Sequence, residues 1–298
     1  MGSSEMRVHI VCQRWKQDRV LSRFARYLVD RWGWTVSRRP DRKADLNYWI
    51  AFLEWERFKG FDRTPTVAFM THPEDEIDNP EKYRLYFDAA READLRICMN
   101  EVSRLELEAL YGLSMQAPLP LDCEHFPLKS ASPGGSPRVG FSGKAYRSGR
   151  KGEDLAEHLV EDFQDRCEFA ASGKKWPCPT RWYSWEEMPQ FFQSLDIYVS
   201  TSVVEGGPMP TLEALATGLP VVIAAGVGLH DELPAVKGIY RYEKGNYEDL
   251  RRALDQALSE YRDIDRELLR QATSPHAVEN WCVANRNAFR QLLAGIGG

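Results

Sequence analysis

The sequence contains no Cys-x-x-Cys pair, no His-x-x-x-His and no Gly-x-Gly-x-x-Gly. The first two absences give no indication of a metal site. The third argues against a dinucleotide-binding oxidoreductase. No apolar run approaches the roughly 18 residues needed to span a bilayer, and no segment reads as a signal peptide. The six cysteines (Cys12, Cys98, Cys123, Cys167, Cys178, Cys282) are scattered, with Cys12 and Cys98 inside apparent strands. Reduced core thiols in a cytosolic protein are the simplest reading of that pattern. Met1 to Glu5, with their Gly-Ser-Ser, read as an expression remnant and are set aside from fold reasoning. What remains is a chain of 298 residues, 43% hydrophobic and 28% charged, which is a globular composition long enough for two domains.

The most informative stretch runs from Asp196 to Glu232. Ile197 to Ser200 and Val221 to Ala225 are short runs of β formers, and the segment between them has helix punctuation at both ends. Pro210 suits the first helical position, Thr211 and Glu213 favour a first turn, Gly218 suits a left-handed C-cap, and Pro220 stops continuation. The result is a βαβ unit of a parallel sheet. Its loop belongs at the carboxyl end of the strands, where open α/β sheets bind ligands and a helix offers amides to phosphate. Gly206 and Gly207 allow close backbone approach. Glu205 and Glu213 bracket the loop as acceptor-only groups, which repel phosphate and suit hydroxyls. A diphosphate with polyols at both ends, a nucleotide sugar, uses every part. The alternative reading is a buried helix N-terminus with a capping glutamate.

The string EGGPMPTLEALATGLPVV, followed by Gly228 and Glu232, resembles the signature of family 4 retaining glycosyltransferases (glycosyl transferases group 1) of the GT-B fold, with two glutamates separated by seven residues. The resemblance implies an α/β chain of two Rossmann-like domains with parallel sheets facing across a cleft, and a C-terminal helix returning to the first domain. It implies that Glu205 contacts the donor sugar and Glu213 the nucleotide ribose, with Gly206, Gly207, Pro208, Met209 and Pro210 along the donor.

Taken in order, Arg7–Gln13 reads as a strand, Arg19–Trp32 as a helix with Leu21, Phe24, Ala25 and Leu28 on one face, and Asp45–Phe52 as a second strand. The loop after the first strand, Gln13 to Gln17, is bulky where relatives have glycines. Thr64–Thr71 reads as a buried parallel strand with His72 directly after it. A strand-end histidine alone is an ordinary polar cap. The resemblance instead places His72 beside the donor sugar. A helix over 82–92, a strand over 95–99 and a helix over 101–111 follow, and the segment APLPLDCEHF at 117–126 resembles the family's structural exit from the first domain, without catalytic assignment to Asp122 or His125.

Lys129 to Arg138 is rich in Ser, Pro and Gly and reads as a linker. The expected domains are therefore 1–128 and 138–274, joined by 129–137, with 275–298 as the return helix. The second domain opens with a strand over 138–142 and then Gly143, Lys144, Arg147, Arg150 and Lys151. The resemblance assigns the donor diphosphate to Lys144 and Lys151, with Arg147 and Arg150 as rivals. Lys144 stands where arginine is usual, a point charge in place of a fork. Helices over 154–163 and 187–195, a strand over 167–171, and helices over 247–261 and 277–293 complete the chain. Trp182 and Tyr183 fall where relatives hold the nucleobase, or else belong to a half-buried aromatic strand.

These readings imply a cytoplasmic enzyme that moves a sugar from a nucleoside diphosphate donor to a hydroxyl acceptor without a metal or other cofactor, His72, Glu205 and Lys151 being the catalytic set. A non-catalytic nucleotide-sugar-binding domain is the alternative, and a sugar-nucleotide epimerase a third reading. No nucleic-acid partner is expected. Residues 13–43 hold ten Lys/Arg against three Asp, a balance of +7 in a chain of net −5. Two readings of that segment stand side by side: a solvated face, or a contact with anionic membrane.

Overall fold

The computed structural model describes residues 6–17, 19–58, 64–73, 76–77, 79–130, 134–145 and 148–296. The chain divides into two units, residues 1–120 with 278–298, and residues 121–277. The division falls ahead of the expected linker. Lys129, placed in that linker by its Ser/Pro/Gly neighbours, is instead buried in the second unit, with its ammonium on Asp196 Oδ1 at 3.0 Å and on Leu195 O. A lysine so placed ties its segment to the sheet.

The first unit is built on β1 (Val8–Val11), β2 (Thr35–Ser37), β3 (Leu46–Trp49), β4 (Thr66–Met70), β5 (Leu95–Cys98) and β6 (Ser114–Gln116), all parallel in the order β2-β1-β3-β4-β5-β6. β1, β3 and β5 are buried along their whole length, as apolar runs covered on both faces require. β2 and β6 did not stand out in the sequence. Each is a three-residue strand at the edge of the sheet, too short for any alternation to show.

Helix α1 (Val20–Trp32) buries Ser22, Phe24, Ala25 and Leu28, and ends on Gly33 in the left-handed region at φ 65°. Helices α2 (Pro80–Glu92) and α3 (Glu101–Tyr111) follow β4 and β5. The Asn100 side chain caps α3 by accepting from Ser103 N at 2.8 Å.

The C-terminal helix belongs to this first unit, as the fold reading expected. It packs on α1: Arg31 forks onto both oxygens of Glu279 at 2.7 and 2.9 Å, and Trp32 Nε1 donates to Cys282 O at 3.1 Å. Fully buried Trp281 lies against Phe24 and Phe69, and Phe289 against Tyr48.

The second unit contains β7 (Arg138–Lys144), α4 (Glu153–Phe163), β8 (Glu168–Lys174), β9 (Thr180–Arg181), α5 (Met188–Gln193), β10 (Ile197–Ser200), α6 (Met209–Ala216), β11 (Val221–Ala224), β12 (Ile239–Tyr242), α7 (Tyr247–Glu260) and α8 (Arg266–Gln271). Its parallel sheet runs β12-β11-β10-β7-β8-β9. The C-terminal helix noted above, Val278–Ile296, is α9.

β7 and β8 extend to Lys144 and Lys174, further than their apolar runs suggest, because Gly143 and Gly173 continue the ladder. A Cβ on Gly173 would come within 1.9 Å of Gly143 O. The two backbones therefore meet at a spacing only glycine permits there.

Candidate donor site in the second unit

Strand order locates the site. From β7 the chain proceeds to β8 and β9 on one side, then returns to place β10 on the other side of β7. The loops leaving the carboxyl ends of β7 and β10 therefore diverge and leave a crevice, the usual ligand position in a doubly wound sheet. The first of these loops ends in Arg150, Lys151 and Gly152, and the second carries Ser202 and Glu205.

The two loops are joined by hydrogen bonds, one from a side chain and one from the backbone. Thr201 Oγ1 donates to Lys151 O at 2.6 Å, and Val203 N to Arg150 O at 3.0 Å. Gly152, at φ 66°, sits so close to the β10 loop that a Cβ would lie 2.0 Å from Thr201 O. These contacts bring the charged groups together. The Lys151 ammonium donates to Glu205 Oε1, Arg150 Nη1 lies 3.4 Å from Oε2, and Ser202 Oγ donates to Oε1 at 3.3 Å. Arg150 also donates to Val204 O at 3.1 Å. Glu205 retains only 9% of its side-chain exposure, so two cations and one carboxylate meet where little of any of them reaches solvent.

Glu213 is buried within α6. Tyr198, on β10, feels both carboxylates. Its phenol pKa is raised far above the usual value, first by burial and then by the charges of Glu213 and Glu205.

The helix start differs from the sequence expectation. α6 begins at Met209, with Pro208 as its N-cap, so Pro210 is the second helical residue. Met209 N donates to Gly207 O at 2.9 Å and Thr211 N to Pro208 O at 3.0 Å, and Pro210 has no N–H. The first-turn amides are thus used inside the turn, and the positive charge at this end comes from Lys151 and Arg150.

Gly143 and Lys144 close β7, with Lys144 exposed at its tip; a Cβ on Gly143 would lie 3.4 Å from Cε and Nζ of Lys151. Arg147 lies outside the described residues. Trp182 is 65% exposed just past the two-residue β9. Tyr183 tilts on Phe191 with the Arg181 guanidinium 4.7 Å above its ring. The aromatic that stacks in this region is Trp185, at 4.2 Å on the His125 ring, whose Nε2 lies 2.9 Å from Trp185 O. These contacts tie the 117–126 segment, through His125, to the segment ahead of α5. His72 lies in the other unit, half-buried, two residues past the end of β4. Among the described residues no three His, Cys, Asp or Glu side chains converge as metal ligands.

Sequence reasoning passed over Ser202 and His230, read Thr211 only as a first-turn residue, and gave Arg150 only as a rival. Ser202 and Arg150 lack a distinguishing spacing. His230 follows Gly228 by two residues inside the signature stretch, and that proximity was the available signal.

The fold, with its two six-stranded parallel sheets, is that of GT-B structures. A family model described as glycosyl transferases group 1 matches residues 180–274, which include Glu205 and Glu213. Among solved structures, Anabaena Alr3699/HepE in complex with UDP-glucose is similar at TM-score 0.73 and 14% identity, over 98% of this chain and 99% of that one. Sucrose-phosphate synthase from Thermosynechococcus elongatus is similar at TM-score 0.72 and 12% identity, over 94% and 80%. A glycosyltransferase from Rickettsia africae gives 0.68 at 9% identity, over 98% and 99%. A search of curated proteins returned no match.

Proposed function

We propose that this chain is a retaining glycosyltransferase of the family 4 type. It would move a sugar, a hexose by preference, from a nucleoside diphosphate donor to a hydroxyl on a glycan, lipid-linked or small-molecule acceptor. The observation that carries the reading is Glu205 held between Lys151 and Arg150 at the switch point of the second sheet. The group 1 match over this segment and the nucleotide-sugar complex of a structural neighbour support it.

In this proposal Lys151, with Arg150 and Lys144, meets the diphosphate. Glu205 takes the donor sugar hydroxyls, Glu213 the ribose, and the 206–210 loop lies along the donor. Trp182 and Tyr183 border the base. His72 orients the anomeric centre. The acceptor oxygen bonds to the anomeric carbon on the face from which the diphosphate departs, and the acceptor proton passes to the departing phosphate oxygen. Charge developing on that leaving group is stabilised by preorganised cations, which need no metal. The proposed setting is cytoplasmic, with the basic segment 14–43 as a membrane contact. Among the described residues, no helix is long and apolar enough to cross a bilayer.

The test is turnover by variants. Glu205→Ala and Lys151→Ala are each expected to lower the rate of donor hydrolysis or transfer by more than about a hundredfold, the scale of one lost preorganised charge contact. Rates equal to wild type in both would sink the assignment. Activity is expected to survive EDTA.

A further inference from the structure

His230 plays no part in that scheme, yet it is fully buried, and so is its partner Thr211. It lies in a 3-10 turn, Gly228–Glu232, directly after β11. Its ring is specified at both nitrogens. Nδ1 lies 3.0 Å from Ala224 O, a carbonyl that only accepts, so Nδ1 carries the proton. Nε2 therefore has a lone pair, and it accepts from Thr211 Oγ1 at 3.1 Å. Burial pushes the ring pKa down to about 4, so the neutral form that this pattern needs is the one present at neutral pH.

Thr211 is the third residue of α6, and the turn that presents His230 is fixed from other directions. Gly228, at φ 54°, faces the backbone at the start of the donor loop so closely that a Cβ would lie 2.5 Å from Gly206 O and 2.6 Å from Glu205 O. Gly226 N donates to both oxygens of Asp231 at 3.0 Å. From β12, Arg241 Nη2 donates to His230 O at 3.1 Å and Leu233 O at 2.6 Å. One turn thus touches both ends of the 205–211 loop, by backbone at Glu205–Gly206 and by the His230 ring at Thr211.

We infer that His230 is a positioning residue that sets the donor-loop geometry through Thr211, and that the Thr211 hydroxyl, although fully buried on the His230 ring, has a role in donor affinity. The inference rests on the donor-site reading above. A loop displaced by a fraction of an ångström leaves Glu205 and the Gly206–Gly207 backbone out of register with a ligand, and such misplacement is costly at a preorganised site.

Thr211→Val removes the hydroxyl and keeps the shape, and Thr211→Ser restores the hydroxyl. Affinities for UDP, GDP, ADP, CDP and dTDP are measured by calorimetry on the full chain, at a temperature well below the melting point of every variant. The tightest of these for wild type is expected to bind Thr211→Val about tenfold more weakly, and Thr211→Ser within about twofold of wild type. A merely structural hydroxyl would lower the melting temperature of Thr211→Val and leave the affinity of its folded form unchanged, which would overturn the inference. If no nucleoside diphosphate binds wild type, the donor-site reading fails and the inference falls with it. That outcome is distinct from one in which wild type binds and Thr211→Val binds equally well.

Discussion

The two units carry the same kind of sheet and use its switch point in opposite ways. In the first unit β1 and β3 part at the switch point, and the amide of Gln13 beyond β1 donates to both oxygens of Glu54, at 2.9 and 3.1 Å. A protein carboxylate stands there where an anionic ligand stands in many doubly wound domains. In the second unit β7 and β10 part, and the loops present Lys151 and Arg150 around Glu205. A shared architecture therefore does not determine which ligand it binds; loop charge and the glycines that let loops approach do.

The cores share aromatic packing and differ in how a buried charge is held. Trp281, Phe24, Phe69, Tyr48 and Phe289 hold the first unit together through ring contacts. Both cores also bury a cation but satisfy it differently: in the first unit Arg96 donates to the carbonyls of Tyr111 and Ala93, and in the second Lys129 meets the carboxylate of Asp196, which also accepts from Arg138 N at 2.9 Å.

The contrast can be broken at its strongest points first. Trp281→Ala in the first unit and Asp196→Ala in the second are each expected to cost about 3–5 kcal/mol in chemical denaturation, one through a cavity and the other by leaving the Lys129 ammonium buried without its counter-charge. An Asp196→Ala cost below that of a surface substitution would show that the second unit does not depend on buried charge.

Next is acid. His230 ionises near pH 4 in the folded state, mainly because of burial, with Glu205 and Asp231 opposing the shift and Arg241 adding to it. Its value in the unfolded chain is about 6.5. The unfolded state therefore binds the extra proton between those limits. Stability from the neutral ring is complete above pH ~6.5 and declines as pH falls toward 4, by about 3 kcal/mol in total. Denaturation midpoints across this range, compared with a variant lacking His230, measure that share. An unchanged pH dependence in the variant would remove it.

Smaller effects sharpen the comparison. Gly33 closes α1 at φ 65° with nothing within 4 Å of the point where a Cβ would lie, so Gly33→Ala should cost only the left-handed strain, about 1 kcal/mol. Gly152→Ala, which adds a collision with Thr201 O to the same strain, should cost more. The smallest effect belongs to the exposed Arg31–Glu279 pair, where Glu279→Ala is expected to cost less than ~1 kcal/mol and to lose its effect in high salt.

The periodic helices and the buried central strands were legible in the sequence. α3 occupies Glu101–Tyr111 as read, β10 occupies Ile197–Ser200, and Gly218 takes the left-handed conformation at φ 77° that its place after α6 suggested. β2, β6, β9 and β12 were not read as strands: all four lie at sheet edges, where pairing on one side is decided by the neighbouring strand, and the first three have only two or three residues. The signature glutamates were visible because their spacing is local. Ser202 was not visible, and Arg150 stood only as a rival for the diphosphate, because their contacts with Glu205 exist only once the β7 loop and the β10 loop meet.

The sequence by itself determined the α/β class, the βαβ unit around Glu205 and Glu213, and the basic cluster after β7, because each is written in residues close along the chain. Tertiary structure decided the rest. It paired Lys151 and Arg150 with a glutamate more than fifty residues away, 54 for Lys151. It buried Lys129 on Asp196, and it turned His230 from a residue after a glycine into a brace on α6. The physical reason is the same in each case: a charge or a hydrogen bond acquires its strength from burial and from a partner, and both are supplied by the packing of distant segments.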